Sequence, residues 1–101
     1  MSNEHISTNT DPAAGLSRLI GREVVFDTAG PITFLGTLKE IRPEGYWLDD
    51  ADIRDRTEGH MSKEVYVREA RLNGIQPNRK TIFVFTDVVI SCSALEDVIV
   101  D

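Results

Sequence analysis

A glycine in the middle of an alternating apolar strand is the feature that most restricts the fold of this chain. One face of the stretch carries Ile32, Phe34, Gly36, Leu38 and Glu40, and the other carries Thr33, Leu35, Thr37, Lys39 and Ile41. Glycine weakens a straight strand, but the strands of small barrels bend sharply at such positions. Gly36 therefore predicts a strongly bent barrel strand over residues 32–41.

Shorter patterns on either side predict four more strands. Residues 24–26 are strand formers followed by a turn at 28–31, and the turn at residues 42–45 leads into a strand that opens at Tyr46. Residues 81–85 are predicted as a buried strand, which breaks at Thr86-Asp87 before the last strand, 88–95. Five strands within residues 23–52 and 80–95 predict a mainly β fold, a small five-stranded open barrel of the SH3-like kind.

The N-terminal segment has a different composition. Residues 1–11 are polar and predict a disordered tail, which leaves residues 12–101 as a single domain. Asp11 can cap a helix whose first position is Pro12, and apolar residues at helical spacing continue to Ile20. Gly21 can end this short helix in a left-handed conformation.

The connection between the third and fourth strands is the ambiguous part of the chain. Residues 53–61 are charged and predict a loop. Residues 64–68 alternate as a strand does, yet Ser62 can cap a helix, residues 69–72 are helix formers, and Asn73-Gly74 is a helix stop. A helical insertion of one or two turns is the favoured interpretation, with a strand as the alternative.

The charge of the chain argues against a broad nucleic-acid surface. Eleven basic and 17 acidic residues give a formal net charge of −6, whereas such surfaces are usually basic. The charges are unevenly placed, because residues 49–58 carry a net charge of −3 and residues 63–80 a net charge of +3. This asymmetry indicates either complementary faces between subunits or ordinary solvated loops.

No arrangement typical of catalysis is present. The single cysteine, Cys92, lies in an apolar run and predicts a small buried side chain. Four aspartates at residues 49–55 lie near His60, but their spacing matches no calcium loop. We therefore expect no enzyme activity, no metal site, no cofactor and no small-molecule substrate. No apolar run is long enough for a membrane helix or a signal peptide, so a cytoplasmic location is expected.

Taken in order, these residues resemble the Sm-like (LSm) family. The family's first motif is a bent strand with Gly and then Leu, followed by a strand ending in Leu-x-Asp-Ala. The corresponding residues here are Gly36, Leu38 and Ile41, then Leu48, Asp50 and Ala51. In the second motif a strand breaks at a short kink, as residues 82–91 do around Asp87. The resemblance covers residues 12–95.

The resemblance implies a homo-oligomeric ring of six or seven subunits that bind RNA at a central pore. The chain departs from the family where bases bind, because Phe85 and Thr86 replace the expected Arg and Gly, and the turn at residues 42–45 has no His or Asn. It therefore looks like a divergent bacterial-type member. The candidate contacts for RNA or a protein partner are Tyr46, Arg68, Arg71, Arg79, Lys80 and Asp87.

Two functions follow as hypotheses. The first is a ring-forming, RNA-associated binding protein. The alternative is a small-barrel module that scaffolds other proteins without binding nucleic acid. Tyr46 can stack on a base, although a place in the core or at its rim fits an aromatic there better. Arg79 and Lys80 can contact phosphate, or they can pair with the acidic 49–58 run of a neighbouring subunit.

Overall fold

The computed structural model describes residues 15–55, 57 and 62–100. The predicted tail, the predicted helix start at Asp11-Pro12 and the loop residue His60 lie outside the described residues. The described strands are β1 (Glu23–Thr28), β2 (Ile32–Arg42), β3 (Gly45–Asp55), β4 (Arg79–Phe85) and β5 (Val89–Ala94). One α-helix, α1 (Lys63–Asn73), lies between β3 and β4.

The five strands form a single antiparallel sheet in the order β4-β3-β2-β1-β5. The predicted mainly β, five-stranded open architecture is confirmed, and β4 and β5 are its two edges. The expectation of a loop from residue 53 is wrong, since β3 continues to Asp55. Its end pairs with β2, with Ile53 opposite Phe34 and Arg54 opposite Thr33. The charged side chains there belong to a half-exposed strand end, which resembles a loop in composition.

Gly36 lies where the backbone of β3 leaves little room for a side chain on β2. The two strands shift register there, so that Asp50 and Ala51 together oppose Gly36. A Cβ atom on residue 36 would lie 3.1 Å from the Asp49 carbonyl oxygen and 3.2 Å from the Ala51 Cα atom. Asp50 lies in this bulge of β3, and its backbone φ is 49°. A bulge of this kind bends the sheet, which explains the glycine in the middle of β2.

A second irregularity changes which side chains of β2 face the core. Leu38 pairs with Leu48 and Glu40 with Trp47, so Lys39 is an extra residue in β2. Since one added residue reverses the alternation, Ile41 lies on the same face as Leu38 and packs against the same core. The prediction that Ile41 shares a face with Leu35 is therefore wrong.

Apolar side chains cover both faces of the sheet. The concave face encloses the main core, which contains Leu19, Val24, Phe26, Leu38, Leu48, Ala51, Val84 and Ala94. The outer face carries a smaller cluster in which Tyr66 and Ala70 of α1 pack against Val25, Leu35 and Leu95. The insertion between β3 and β4 thus supplies the outer layer of the domain.

Helix α1 confirms the helical interpretation of residues 62–74 and is longer than expected, with 11 residues. The Ser62 hydroxyl caps it by accepting a hydrogen bond of 3.2 Å from the Val65 amide, and Gly74 follows it with a φ of 92°. Near its start, Lys63 Nζ donates to the Thr28 carbonyl at 3.0 Å. Near its end, Arg71 Nε donates to the Glu96 carbonyl at 3.3 Å.

The N-terminal segment joins the sheet through a short 3-10 helix, Ser17–Leu19. Gly21 follows with a φ of 89°, as predicted for a left-handed terminus. The Gly21 amide donates to the Leu38 carbonyl at 2.7 Å, which fixes the segment against β2. Among the described residues, no helix is long and apolar enough to cross a membrane.

Candidate functional site

The kink between β4 and β5 lies against the turn between β2 and β3. The Thr86 amide donates a hydrogen bond of 3.0 Å to the Glu44 carbonyl. In the Sm-like pattern these are the two segments that carry the base-binding residues. The charged groups nearby are mainly acidic, because Glu44 and exposed Asp87 lie at this end and Arg42 is paired with Glu40 at 3.2 Å. This end of the sheet therefore carries more acidic than basic side chains.

Tyr46 lies near this end of the sheet but belongs mainly to the core. Its ring is half-buried and makes an edge contact with Phe26, with the two centroids 4.9 Å apart. Phe26 lies at the centre of the main core. Tyr46 thus packs as a partly buried side chain at the rim of the main core.

Arg79 and Lys80 lie at the opposite end of β4. Arg79 pairs with Ala51, whereas Phe85 at the other end pairs with Gly45. Arg79 and Phe85 are the first and last of the seven residues of β4, so they lie about 20 Å apart at the usual rise. Both basic side chains are exposed, and Arg79 donates to the neighbouring Asn78 carbonyl at 3.0 Å.

Arg68 and Arg71 lie on α1, on the outer side of the sheet. Arg71 is tied to the C-terminal segment through the Glu96 carbonyl, and the Glu96 carboxylate is paired with Arg22. The six candidate residues therefore occupy three separate places: the acidic end with Tyr46 and Asp87, helix α1, and the start of β4. They form no single site.

A row of three aromatic rings, the outer two of them exposed, is the feature that sequence reasoning missed. Trp47 of β3 makes an edge contact with Phe83 of β4 at 5.0 Å between centroids, and Phe83 makes another with Phe85 at 5.2 Å. Phe85 is 58% exposed and Trp47 37% exposed. We call Trp47, Phe83 and Phe85 the aromatic row.

The aromatic row overturns the prediction that residues 81–85 are a buried strand. Ile82 and Val84 face the main core, but Phe83 and Phe85 alternate with them and lie on the outer face. Because β4 is an edge strand and α1 covers β1 and β2 instead, nothing within the described chain covers Phe85. The period-two placement of Phe83 and Phe85 was the available signal, but it does not distinguish an edge strand from a central one.

The other edge of the sheet also exposes apolar side chains. Ile90 of β5 is 66% exposed, and Val88, in the kink before it, is also exposed. Unpaired edges with apolar side chains are sites where another strand can add. Both edge strands, β4 and β5, are unpaired on one side and expose apolar side chains.

Burial changes the pKa of two side chains, Tyr66 and Cys92. Burial raises the pKa of the Tyr66 hydroxyl, and its hydrogen bond to Asp52 adds to the effect. Burial raises the pKa of the Cys92 thiol to about 11, so it stays protonated near neutral pH. Cys92 is half-buried against the main core, close to the predicted role. Within residues 15–55, 57 and 62–100, no three His, Cys, Asp or Glu side chains cluster as a metal ion would require.

No protein-family model matches this chain, and no curated protein matches it. Among solved structures it is similar to the Sm protein of Pyrococcus abyssii in complex with a uridine heptamer. The TM-score is 0.57 with 16% sequence identity, and the match covers 82% of this chain and 96% of that chain. At this identity the likeness concerns the fold, which is the Sm-like small barrel expected from the sequence.

Proposed function

We propose that this protein is a ring-forming, RNA-associated binding protein of the Sm-like type. One observation carries the proposal: both edges of an Sm-like sheet, β4 and β5, are open and expose apolar side chains. A strand edge of this kind is stabilised by pairing with another strand. Pairing β4 of one copy with β5 of the next repeats head to tail and closes into a ring when the rotation allows it. The family resemblance implies six or seven subunits.

The RNA part of the proposal is supported by the fold shared with a protein solved in complex with a uridine heptamer. The acidic end with Glu44 and Asp87 repels phosphate, so the exposed pair Arg79 and Lys80 is the best placed for backbone contact. A ring would repeat this pair once per subunit and concentrate the positive charge. The loss of the family's base-binding residues fits a divergent bacterial-type member, and the expected cytoplasmic location remains a prediction.

A protein scaffold without nucleic-acid binding is the second candidate, and two observations favour it. The chain carries a net charge of −6. The aromatic row exposes rings of the kind that anchor protein interfaces. In either case the role is binding and not catalysis, and residues 12–101 are proposed as one functional domain.

Oligomeric state and RNA affinity test the proposal separately. Size-exclusion chromatography with light scattering should give a closed oligomer at tens of micromolar protein, and a monomer there contradicts the ring. Fluorescent oligo-U and oligo-A should bind at low salt, with an affinity that falls steeply as salt is added. If neither RNA binds at low salt, the RNA-associated function is excluded and the protein-scaffold function remains.

Charge-reversal variants locate the RNA contact. The double variant Arg79→Glu/Lys80→Glu should weaken oligo-U binding by at least about tenfold and flatten its salt dependence. The matched control is Arg18→Glu/Lys39→Glu, which makes the same change in net charge at exposed positions elsewhere. Equal weakening by both pairs would show that only the overall charge matters and would contradict a contact at β4.

A further inference from the structure

The aromatic row is held in place by the packing of β3 against β4. The Phe83 ring lies against β3 where residue 45 has no side chain. A Cβ atom on Gly45 would lie 2.6 Å from Cε2 and 2.7 Å from Cζ of that ring. Trp47 and Phe85 both contact the same ring, at 5.0 and 5.2 Å between centroids. The three rings therefore form an ordered surface before any partner binds.

The charged side chains of β2 beside the aromatic row are paired with one another or with β3. Glu40 lies directly opposite Trp47 in the sheet and pairs with Arg42 at 3.2 Å. Lys39 pairs at 3.8 Å with Asp49, which follows Trp47 by two residues in β3. Both cations beside the row are thus matched by a carboxylate of this chain.

Two exposed carboxylates beside Phe85 have no such match. Glu44 directly precedes Gly45, which pairs with Phe85 across the strands, and the Glu44 carbonyl accepts the Thr86 amide. Asp87 follows Phe85 by two residues, so their backbones are at most about 7 Å apart. Neither carboxylate has an ion-pair partner within the described residues. The most exposed ring of the row, 58% exposed, therefore lies beside two unpaired negative charges.

An aromatic ring beside carboxylates attracts an organic cation. The negative face of the ring attracts a guanidinium or ammonium group within about 6 Å of its centroid, and a carboxylate accepts paired hydrogen bonds from a guanidinium. We propose that the aromatic row, with Glu44 and Asp87, binds an arginine-containing segment of a protein partner and places a guanidinium on Phe85. This contact goes beyond the proposed function and rests on neither the ring nor RNA binding, because it uses side chains on a face of the sheet.

The charges favour a basic protein segment over RNA on this surface. Bases also stack on exposed rings, but the phosphates between them require nearby cations. The unpaired charges beside Phe85 are negative, and Lys39 and Arg42 are already paired. A formal net charge of −6 adds to the attraction for a basic partner.

Two peptides of the same shape test whether the positive charge is recognised. The probe is a short fluorescent peptide of alternating arginine and glycine. Its match replaces each arginine by citrulline, which keeps the planar head group and removes the charge. Fluorescence anisotropy with the full wild-type chain should show that the arginine peptide binds at least about tenfold more tightly. Equal affinity for the two peptides overturns the proposed contact.

Variants at exposed positions locate the contact. Phe85→Leu removes the ring but keeps an apolar side chain, and it should weaken arginine-peptide binding by about two- to fivefold. Glu44→Gln/Asp87→Asn should weaken it by at least about threefold. The matched control is Glu64→Gln/Asp97→Asn, which makes the same change in charge at exposed positions on α1 and in the C-terminal segment. Equal weakening by the two acidic pairs, or no effect of Phe85→Leu, overturns the contact.

Trp47 reports binding at the row itself. It is the only tryptophan, is 37% exposed and contacts Phe83, so a bound arginine peptide should change its emission. Unchanged emission at saturating peptide places the peptide elsewhere and overturns the contact. If Phe85→Leu weakens oligo-U binding and leaves arginine-peptide binding intact, the row is an RNA surface and the contact is likewise overturned.

The oligomeric state of each variant, measured by light scattering, separates this contact from the proposed function. A wild-type monomer that binds the arginine peptide overturns the ring alone. A wild-type ring that does not bind the peptide overturns the contact on the aromatic row alone.

Discussion

The Tyr66 hydroxyl donates a hydrogen bond of 2.7 Å to Oδ2 of Asp52, and this contact joins α1 to β3. Asp52 is 2% exposed. Its Oδ1 accepts from Asn78 Nδ2 at 3.0 Å, and Arg54 NH2 lies 3.6 Å from its Oδ2. A buried carboxylate is tolerated only when such partners surround it. Asp52 therefore fixes the helix, the strand and the segment before β4 relative to one another.

Replacing Tyr66 by Phe should lower the free energy of unfolding by about 1–3 kcal/mol, because Asp52 then stays buried with one donor fewer. Urea denaturation followed by circular dichroism measures the change. Tyr46→Phe is the matched control, since the Tyr46 hydroxyl makes no hydrogen bond within the described residues, and it should cost less than about 0.5 kcal/mol. If both variants unfold at the same urea concentration, the Tyr66–Asp52 bond contributes nothing.

Alkaline pH should destabilise the protein through the same tyrosine. Burial first, and then the hydrogen bond to Asp52, raise the pKa of Tyr66 in the folded state above its unfolded value of about 10. The folded state thus favours the protonated hydroxyl. Its stabilising effect is complete below about pH 10 and is lost above that pH at up to about 1.4 kcal/mol per unit.

The expected result is a loss of stability above about pH 10 that is shallower in Tyr66→Phe than in the wild type. Urea denaturation at a series of pH values measures the slope, and tyrosinate absorbance follows the ionisation. In the wild type, ionisation of Tyr66 should coincide with unfolding. Ionisation of both tyrosines while the circular dichroism spectrum stays native would contradict the buried, hydrogen-bonded hydroxyl.

The existence of the five strands was predictable because their signals are local. Gly36 marks a close approach of β2 and β3, and the Asn73-Gly74 stop marks a positive φ that few other residues allow. The change of face at Lys39 was not predictable, since a bulge depends on how β2 pairs with β3. Nothing in the sequence around Ile41 reports that pairing.

The candidate site was less predictable than the fold. Arg68, Arg71, Arg79 and Lys80 are close in sequence, but the helix between β3 and β4 carries the first pair to the outer face and leaves the second pair on an edge strand. The groove lined by Val25, Val67 and Val98 could not be foreseen either, because these residues come from three segments far apart in the chain. Basic residues that are close in sequence form one site only when the segment between them folds so that their side chains meet.

Thr33 provides a test of a buried polar group that has no partner. It is 1% exposed, and its hydroxyl makes no hydrogen bond within the described part of the chain. Thr33→Val keeps the shape and removes the unsatisfied group, so the free energy of unfolding should rise by about 1 kcal/mol. Thr28→Val is the opposing control: the Thr28 hydroxyl donates to the Ile32 carbonyl at 2.6 Å, and its loss should cost about 1 kcal/mol. Thermal unfolding of both variants should show shifts of opposite sign, and a fall for Thr33→Val would contradict the unsatisfied hydroxyl.

Asp50 tests whether the bulge opposite Gly36 requires a left-handed residue. Its φ of 49° lies in the region that glycine, asparagine and aspartate tolerate and β-branched residues avoid. Asp50→Asn and Asp50→Gly should leave the free energy of unfolding within about 0.5 kcal/mol, whereas Asp50→Val should lower it by about 1–2 kcal/mol. Glu23→Val, at an exposed strand position of β1, controls for replacing an acidic side chain by a β-branched apolar one and should be neutral. If Asn and Val destabilise the protein equally, the carboxylate of Asp50 matters and its backbone conformation does not.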